Sequence, residues 1–251
     1  MIHAFKDKLS RGVVGVFSKT EDPAFIEVMG YSGVDFAIID LEHGPNTIRS
    51  AQNLIRAAEI SGLFPIIRTA EGQFPMISAA LDIGALGVQI PQISTKEDAL
   101  RAVQAAKFSP AGERGVCRFV RAAKYSSKDR KDYFADANEC LVILQIEGLE
   151  GIQNLDAIVD VEGIDVIFIG PYDLSASVGV VGDIDNPLVE EKMLEIIQKC
   201  KEKNIIVGTF TDTIQNARKW RDCGVQYIAH SVDVGLFHEA LKNLMSDIKT
   251  K

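Results

Sequence analysis

Apolar positions along the chain gather into short, nearly unbroken runs, separated by longer segments with helical spacing. Five runs directly follow a glycine that closes a helix-like segment. Gly33-Val34-Asp35 leads into FAIID, Gly62-Leu63 into FPIIR, Gly84 through Gly87 into VQI, Gly163-Ile164-Asp165 into VIFIG, and Gly224-Val225 into QYIAH. A glycine just past a helix adopts the left-handed conformation that stops it, and a β-branched run then suits a strand. Runs without polar alternation predict strands buried on both faces, as in parallel sheets. VVGVF at 13–17, LVILQIE at 141–147 and IIVGTF at 205–210 bring the predicted strands to eight.

Helices are predicted between them. Thr47 to Ser61 places Ile48, Ala51, Leu54, Ile55 and Ala58 on one face. Ser94-Thr95-Lys96-Glu97 reads as a capping box, with Glu97 at its third helical position, opening a helix striped by Leu100, Val103 and Ala106. Residues 188–203 and 212–223 are also amphipathic. Eight βα units in 251 residues predict one (β/α)8 barrel domain over 1–251. The structural alternative is a doubly wound open sheet, but the GxGxxG fingerprint after a first strand is missing. Residues 108–138 interrupt the rhythm. They contain no clear strand and carry Arg114, Arg118, Arg121, Lys124, Lys128, Arg130 and Lys131 against Asp129 and Asp132. Two readings stay open: a solvated basic loop, or a lid or subunit contact that draws anions inward.

Composition is that of an ordinary globular chain, 47% hydrophobic and 25% charged. Thirty-five acids against 27 Lys and Arg give a net charge of −8, a poor match to a phosphate backbone, so no nucleic-acid partner is expected. Nothing approaches a 20-residue apolar span and the start has no apolar signal core, so a cytoplasmic protein without a membrane partner is expected. Cys117, Cys140, Cys200 and Cys223 form no CxxC pair and read as reduced thiols.

In such a barrel, function gathers beyond the C-terminal strand ends. The residues there are Asp40-Leu41-Glu42-His43, Arg68-Thr69, Gln89 through Gln92, Gln145-Ile146-Glu147, Gly170-Pro171-Tyr172-Asp173, Thr209 and His230-Ser231. Glu147 and Asp173, ending adjacent strands, could share a hard divalent cation with waters, or each could cap a helix. Arg68 at the end of a buried strand needs an anion, either a neighbouring acid or a substrate carboxylate. His43 is flanked by carboxylates. Tyr172 lines the pocket or packs, and His230 is read as packing. No predicted strand contains a lysine, so no Schiff-base amine is expected inside the barrel. Lys19, just past the first strand, is a weak candidate.

DLEHGP at 40–45, PIIR at 65–68, LQIEGLEGIQNLDAI at 144–158 and GPYDLSASVG at 170–179 together resemble the HpcH/HpaI aldolases, class II pyruvate aldolases acting on 4-hydroxy-2-oxo acids. The similarity runs in order along essentially the whole chain. It implies a modified (β/α)8 barrel with the last helix exchanged between subunits of a homo-oligomer, dimer-based and up to a hexamer. It also implies Glu147 and Asp173 as ligands of Mg²⁺ or Mn²⁺, with Co²⁺ a further option, and small-molecule partners, an oxo acid and an aldehyde. By the same resemblance Arg68 binds the pyruvate carboxylate and enolate oxygen. His43, oriented by a carboxylate such as Asp40, transfers protons. Gln145 lies beside the pyruvyl group, the backbone of Gly170, Pro171, Tyr172 and Asp173 meets the substrate carboxylate, and Asp82 reaches a neighbouring subunit's histidine. The chain departs from the family pattern at Tyr172, where a small residue is usual, at AHSVD (229–233), and in the residues after RGV at 114–116. Two other readings are a citramalyl- or malyl-CoA-type lyase and a catalytically silent barrel that binds an oxo acid.

Overall fold

The computed structural model describes residues 1–249. Eight strands are formed: β1 Val13–Ser18, β2 Phe36–Asp40, β3 Phe64–Arg68, β4 Gly87–Ile90, β5 Leu141–Ile146, β6 Val166–Ile169, β7 Ile206–Thr211 and β8 Tyr227–Val232. Each pairs in parallel with the next, and β8 returns to β1, closing the barrel. The open-sheet alternative is thereby excluded. Every residue of β2 through β6 is buried, because one side chain in two enters the barrel while its neighbour packs under the surrounding helices. Ile38, Ile66, Ile143 and Phe168 belong to the interior cluster, and Ile39, Ile67, Leu144 and Ile169 to the outer one.

The N-terminal end of the barrel is closed by rings. The helix Ile2–Leu9 carries Phe5 against it, stacked on Phe64 at 3.9 Å and edge-on to Phe36. Phe36 in turn stacks on Tyr227 at 4.1 Å. Gly15 makes room, since any Cβ there would run into the Phe36 ring.

Two expectations need correction. The capping box of the helix Lys96–Ala106 sits one residue later than predicted, with Thr95 as cap and Asp98, not Glu97, as the reciprocal acid. Residues 108–138 are not a featureless loop. They hold a short 3-10 turn, Arg121–Ser126, and the helix Arg130–Ala137, whose first turn is capped by Asp129. Phe108, Ala123 and Tyr133 give this segment a small core of its own. It enters β5 from the N-terminal end of the barrel, and there Arg114 pairs with Asp82 at 2.6 Å and Arg121 with Glu59 at 2.5 Å. Those arginines are committed at the end opposite the strand C-termini and form no lid over this chain's own mouth.

The last helix, Asp233–Lys249, buries only Asp233. Val234, Phe237, Leu241, Leu244, Met245 and Ile248 are exposed along it. Among the described residues no helix is long and apolar enough to cross a membrane.

Candidate active site

Strand register sets the first half of the site. Asp40 and Arg68 are partners across β2 and β3, and Arg68 and Gln89 across β3 and β4, so these polar side chains share the last layer before the mouth. Asp40 is fully buried and Arg68 nearly so. Nε of Arg68 donates to Oδ1 of Asp40 at 2.8 Å, Nη2 donates to Oδ2 at 2.6 Å, and Nη1 lies 3.1 Å from Glu42. The Lys19 ammonium also donates to Oδ2 of Asp40. Burial alone would raise the Asp40 pKa, but Arg68 and then Lys19 hold it well below the usual carboxylate range. For Arg68, burial works against the charge, yet Asp40, Glu42 and Glu147 raise its pKa above the ordinary value.

The second half lies on β5 and β6. Glu147, 2% exposed, follows β5 directly. Its Oε2 accepts from Nε2 of Gln145 at 2.5 Å and its Oε1 from the Gln92 backbone at 2.9 Å. Gln145 is itself fixed by Nε2 of Gln89 at 2.7 Å. Burial, first of all, and the negative charges of Asp173 and Glu42 push the Glu147 carboxyl up to about 7, against the two hydrogen bonds. Gly170 after β6 leaves the space this carboxylate occupies, because a Cβ there would collide with Oε2 of Glu147. Pro171 then opens the short helix Pro171–Ser177, with Asp173 in its first turn.

Both halves face one cavity of about 290 Å³ at the C-terminal strand ends. Lys19, His43, Arg68, Gln145, Glu147, Gly170, Pro171, Tyr172 and Asp173 line it, together with Phe17, Phe168, Phe210 and Val232. Of the residues that the family resemblance assigned to the site, all but Asp40 and Asp82 border the cavity, and Asp40 lies directly behind Arg68. Asp82 does not join them. It ends the helix Phe74–Asp82 at the opposite end of the barrel, paired with Arg114. Of the flanking acids, among which Asp40 was one candidate to orient it, the His43 ring has Glu42 as its charge partner, with Nε2 3.8 Å from that carboxylate. Asp40 is instead spent on Arg68 and Lys19 and on the backbone N–H groups of Glu42, at 3.0 Å, and His43, at 3.4 Å. Tyr172 donates to Asp212 at 2.9 Å on the rim, while His230 meets the Thr211 hydroxyl outside the cavity lining. Among the described residues no group of three or more His, Cys, Asp or Glu is arranged to hold a metal. Any ion here would have two protein carboxylates and further ligands from elsewhere.

Two residues were undervalued in the sequence. Lys19 lies one position beyond the β1 run, and its direction depends on the turn that follows. That turn is held by buried Asp233, the second missed residue, which accepts from the backbone N–H of Lys19 at 2.9 Å and of Thr20 at 3.1 Å.

A closed parallel barrel with a buried guanidinium, an acid pair and amides gathered at its C-terminal mouth has the layout of a barrel enzyme. Residues 13–240 match the HpcH/HpaI aldolase/citrate lyase model, and the chain belongs to that family. It is 33% identical to the hydroxypyruvate/pyruvate aldolase of Roseobacter denitrificans, over 99% of this chain and 98% of that one. It is 36% identical to the 2-keto-3-deoxy-L-rhamnonate aldolase of Salmonella paratyphi A, over 98% and 93%. A crystal structure of a family member from Burkholderia cenocepacia J2315 superposes with a TM-score of 0.93 at 31% identity, covering 98% of this chain and 99% of that one. These relatives support a lyase.

Proposed function

We propose that this protein is a divalent-metal-dependent class II aldolase that reversibly cleaves a 4-hydroxy-2-oxo acid into pyruvate and an aldehyde. The observation that carries this reading is the division of one cavity. A buried guanidinium stands on the β3 side, and two carboxylates of like charge, Glu147 and Asp173, stand on the β5–β6 side. The two carboxylates fit a hard cation. Burial and mutual repulsion leave Glu147 short of positive charge, and Gly170 keeps the approach to its Oε2 clear. Glu147 and Asp173 would hold Mg²⁺ or Mn²⁺, with Co²⁺ as a further option, and water would complete the shell. When bound, the ion would supply Lewis-acid polarisation of the 2-oxo group.

The chain's own residues would do the rest. The backbone N–H groups that open the helix after Gly170 would receive the substrate carboxylate. The His43 ring, beside Glu42 at the rim, would take the proton from the C4 hydroxyl. The C3–C4 bond would then break, its electrons passing into the C2–C3 enolate while the aldehyde leaves. Arg68 would stabilise the oxygen that gains charge at C2, the contribution usually largest in such reactions. A proton returned to C3 would complete pyruvate. Gln145, fixed by Gln89, would hold the Glu147 carboxylate in place.

The exposed apolar face of the last helix supports a homo-oligomer with that helix exchanged between subunits, and Asp82 would there approach a neighbour's histidine. A cytoplasmic location belongs to the same reading. The test is pyruvate release from 4-hydroxy-2-oxo acids with and without Mg²⁺ or Mn²⁺, with the aldehyde identified from the products. Metal-dependent cleavage is expected. Cleavage that resists chelation would remove the metal, and binding without cleavage would leave a silent oxo-acid barrel.

A further inference from the structure

The cationic side of the cavity raises a question of charge. Arg68 is gripped by two carboxylates, Asp40 through Nε and Nη2 and Glu42 through Nη1. A single guanidinium against two acids has a net negative surrounding and attracts a third anion poorly. The cavity adds Glu147 and Asp173 on its other side.

Resting on the reading of Arg68 as the oxo-acid anchor, we propose that Lys19 is a positioning residue that keeps Arg68 electrostatically available to an anionic ligand. The Lys19 ammonium contacts Oδ2 of Asp40, the oxygen that also receives Nη2 of Arg68, and donates to the His43 carbonyl at 3.2 Å. Lys19 and Arg68 together balance Asp40 and Glu42, so the guanidinium face on the cavity is no longer outweighed by its own supports. Lys19 thus shares Oδ2 of Asp40 with Arg68, adding a second cation to the acid that holds the guanidinium.

Its placement is built into the fold. Buried Asp233, at the start of the last helix, accepts from the Lys19 backbone N–H, the Thr20 backbone N–H and the hydroxyls of Ser18 and Thr20. Five contacts from one acid, counting the Val234 N–H, lock the turn from which the Lys19 side chain reaches the cavity. With two acceptors already engaged, the Lys19 amine serves as a counter-charge and not as a nucleophile toward the oxo group.

The test uses oxalate, an unreactive dianion shaped like the pyruvate enolate, titrated calorimetrically in Mg²⁺ buffer alongside cleavage kinetics. Lys19→Met should weaken oxalate binding at least tenfold, with a rise in KM larger than the fall in kcat, and Lys19→Arg should recover most of the loss. The decisive variant is Lys19→Met/Glu42→Gln, which adds no contact but restores the charge balance. It should bind oxalate more tightly than Lys19→Met alone. Should Lys19→Met fail to fold, the same comparison is made with Lys19→Gln, alone and combined with Glu42→Gln. Unchanged oxalate affinity in the single variant, or no recovery in the double variant, would overturn the inference while leaving the aldolase reading standing. A pyruvate adduct on Lys19 after borohydride treatment would also overturn it. A wild-type protein that neither binds oxalate nor cleaves an oxo acid would instead overturn the reading of Arg68, and the inference with it.

Discussion

The guanidinium of Arg68 meets the carboxylate of Asp40 as a two-pronged pair, 2.8 Å through Nε and 2.6 Å through Nη2, with both residues at the ends of adjacent strands and out of solvent. Removing one member of a buried pair strands the other charge, which costs up to about 3–5 kcal/mol. Asp40→Ala should lower stability by much of that range in urea unfolding, Glu42 recovering a part through its own contact with Arg68. Arg68→Lys keeps the charge but loses the fork. It should cut turnover by about a hundredfold, the scale of losing a key oxyanion donor, with a smaller fall in stability. A variant that keeps full turnover would take Arg68 out of the chemistry.

The Glu147 carboxyl should make the metal-free protein sensitive to neutral pH. Its pKa is about 7 in the fold and ordinary, near 4.3, in the unfolded chain. The fold therefore keeps a proton that the unfolded chain has already released. Stability is greatest below the unfolded value and is lost as pH rises through the folded one, by up to about 4 kcal/mol in all. Thermal melts of metal-free protein between pH 5 and 8 should show this slope, and Glu147→Gln should flatten it. Saturating Mg²⁺ should raise stability most at the alkaline end.

Gly170→Ala tests the space around that same carboxylate. The backbone at Gly170 has φ −90°, which alanine adopts freely, so the fold should survive. The new methyl would collide with Oε2 of Glu147. Divalent-ion affinity, measured by calorimetry with Mn²⁺, should fall at least tenfold. Wild-type affinity would show that Glu147 holds no ion.

Tyr172 and Asp212 offer a handle on the rim. Their hydrogen bond is exposed, and exposed substitutions of this kind cost within about 0.5 kcal/mol. Tyr172→Ala should leave the melting temperature nearly unchanged while widening the mouth. Ratios of kcat/KM over an aldehyde panel should move toward larger aldehydes. An unaltered ranking would place the aldehyde elsewhere.

The exposed face of the last helix predicts association. Exposed apolar side chains recurring at helical spacing form a patch that isolated chains rarely leave in water. Sedimentation should find a homo-oligomer, and Leu241→Glu with Leu244→Glu should reduce its size. A wild-type monomer at micromolar concentration would refute the exchange of that helix.

What could be read in advance followed from periodicity. Strands such as FAIID and VIFIG are continuous because both faces are buried, and the glycines that precede them stop the previous helix, so eight strands and the barrel were legible. The cap at Thr95 was misplaced by one residue because Glu97 and Asp98 are both acids, and only the helix start decides which one turns back. The helix Arg130–Ala137 left little trace, since Tyr133 packs on a local cluster with Phe108 and Ala123 instead of adding to a long apolar stripe. Lys19 was legible only as a weak amine candidate because a residue beyond a strand is aimed by its turn, and here the turn is fixed by Asp233, more than two hundred positions away. The partner of His43, Asp40 or Glu42, could not be chosen from the sequence for a related reason. The two acids of DLEHG are equivalent on paper, but Asp40 ends β2 and is buried against Arg68 and Lys19, whereas Glu42 lies beyond the strand in the turn that carries His43.

The stacked rings of Phe5, Phe64, Phe36 and Tyr227 plug the barrel at the end away from the mouth. Whatever enters from the mouth has to depart by the same doorway. Under the proposed cleavage, the fragment nearer the rim would leave before the deeper one.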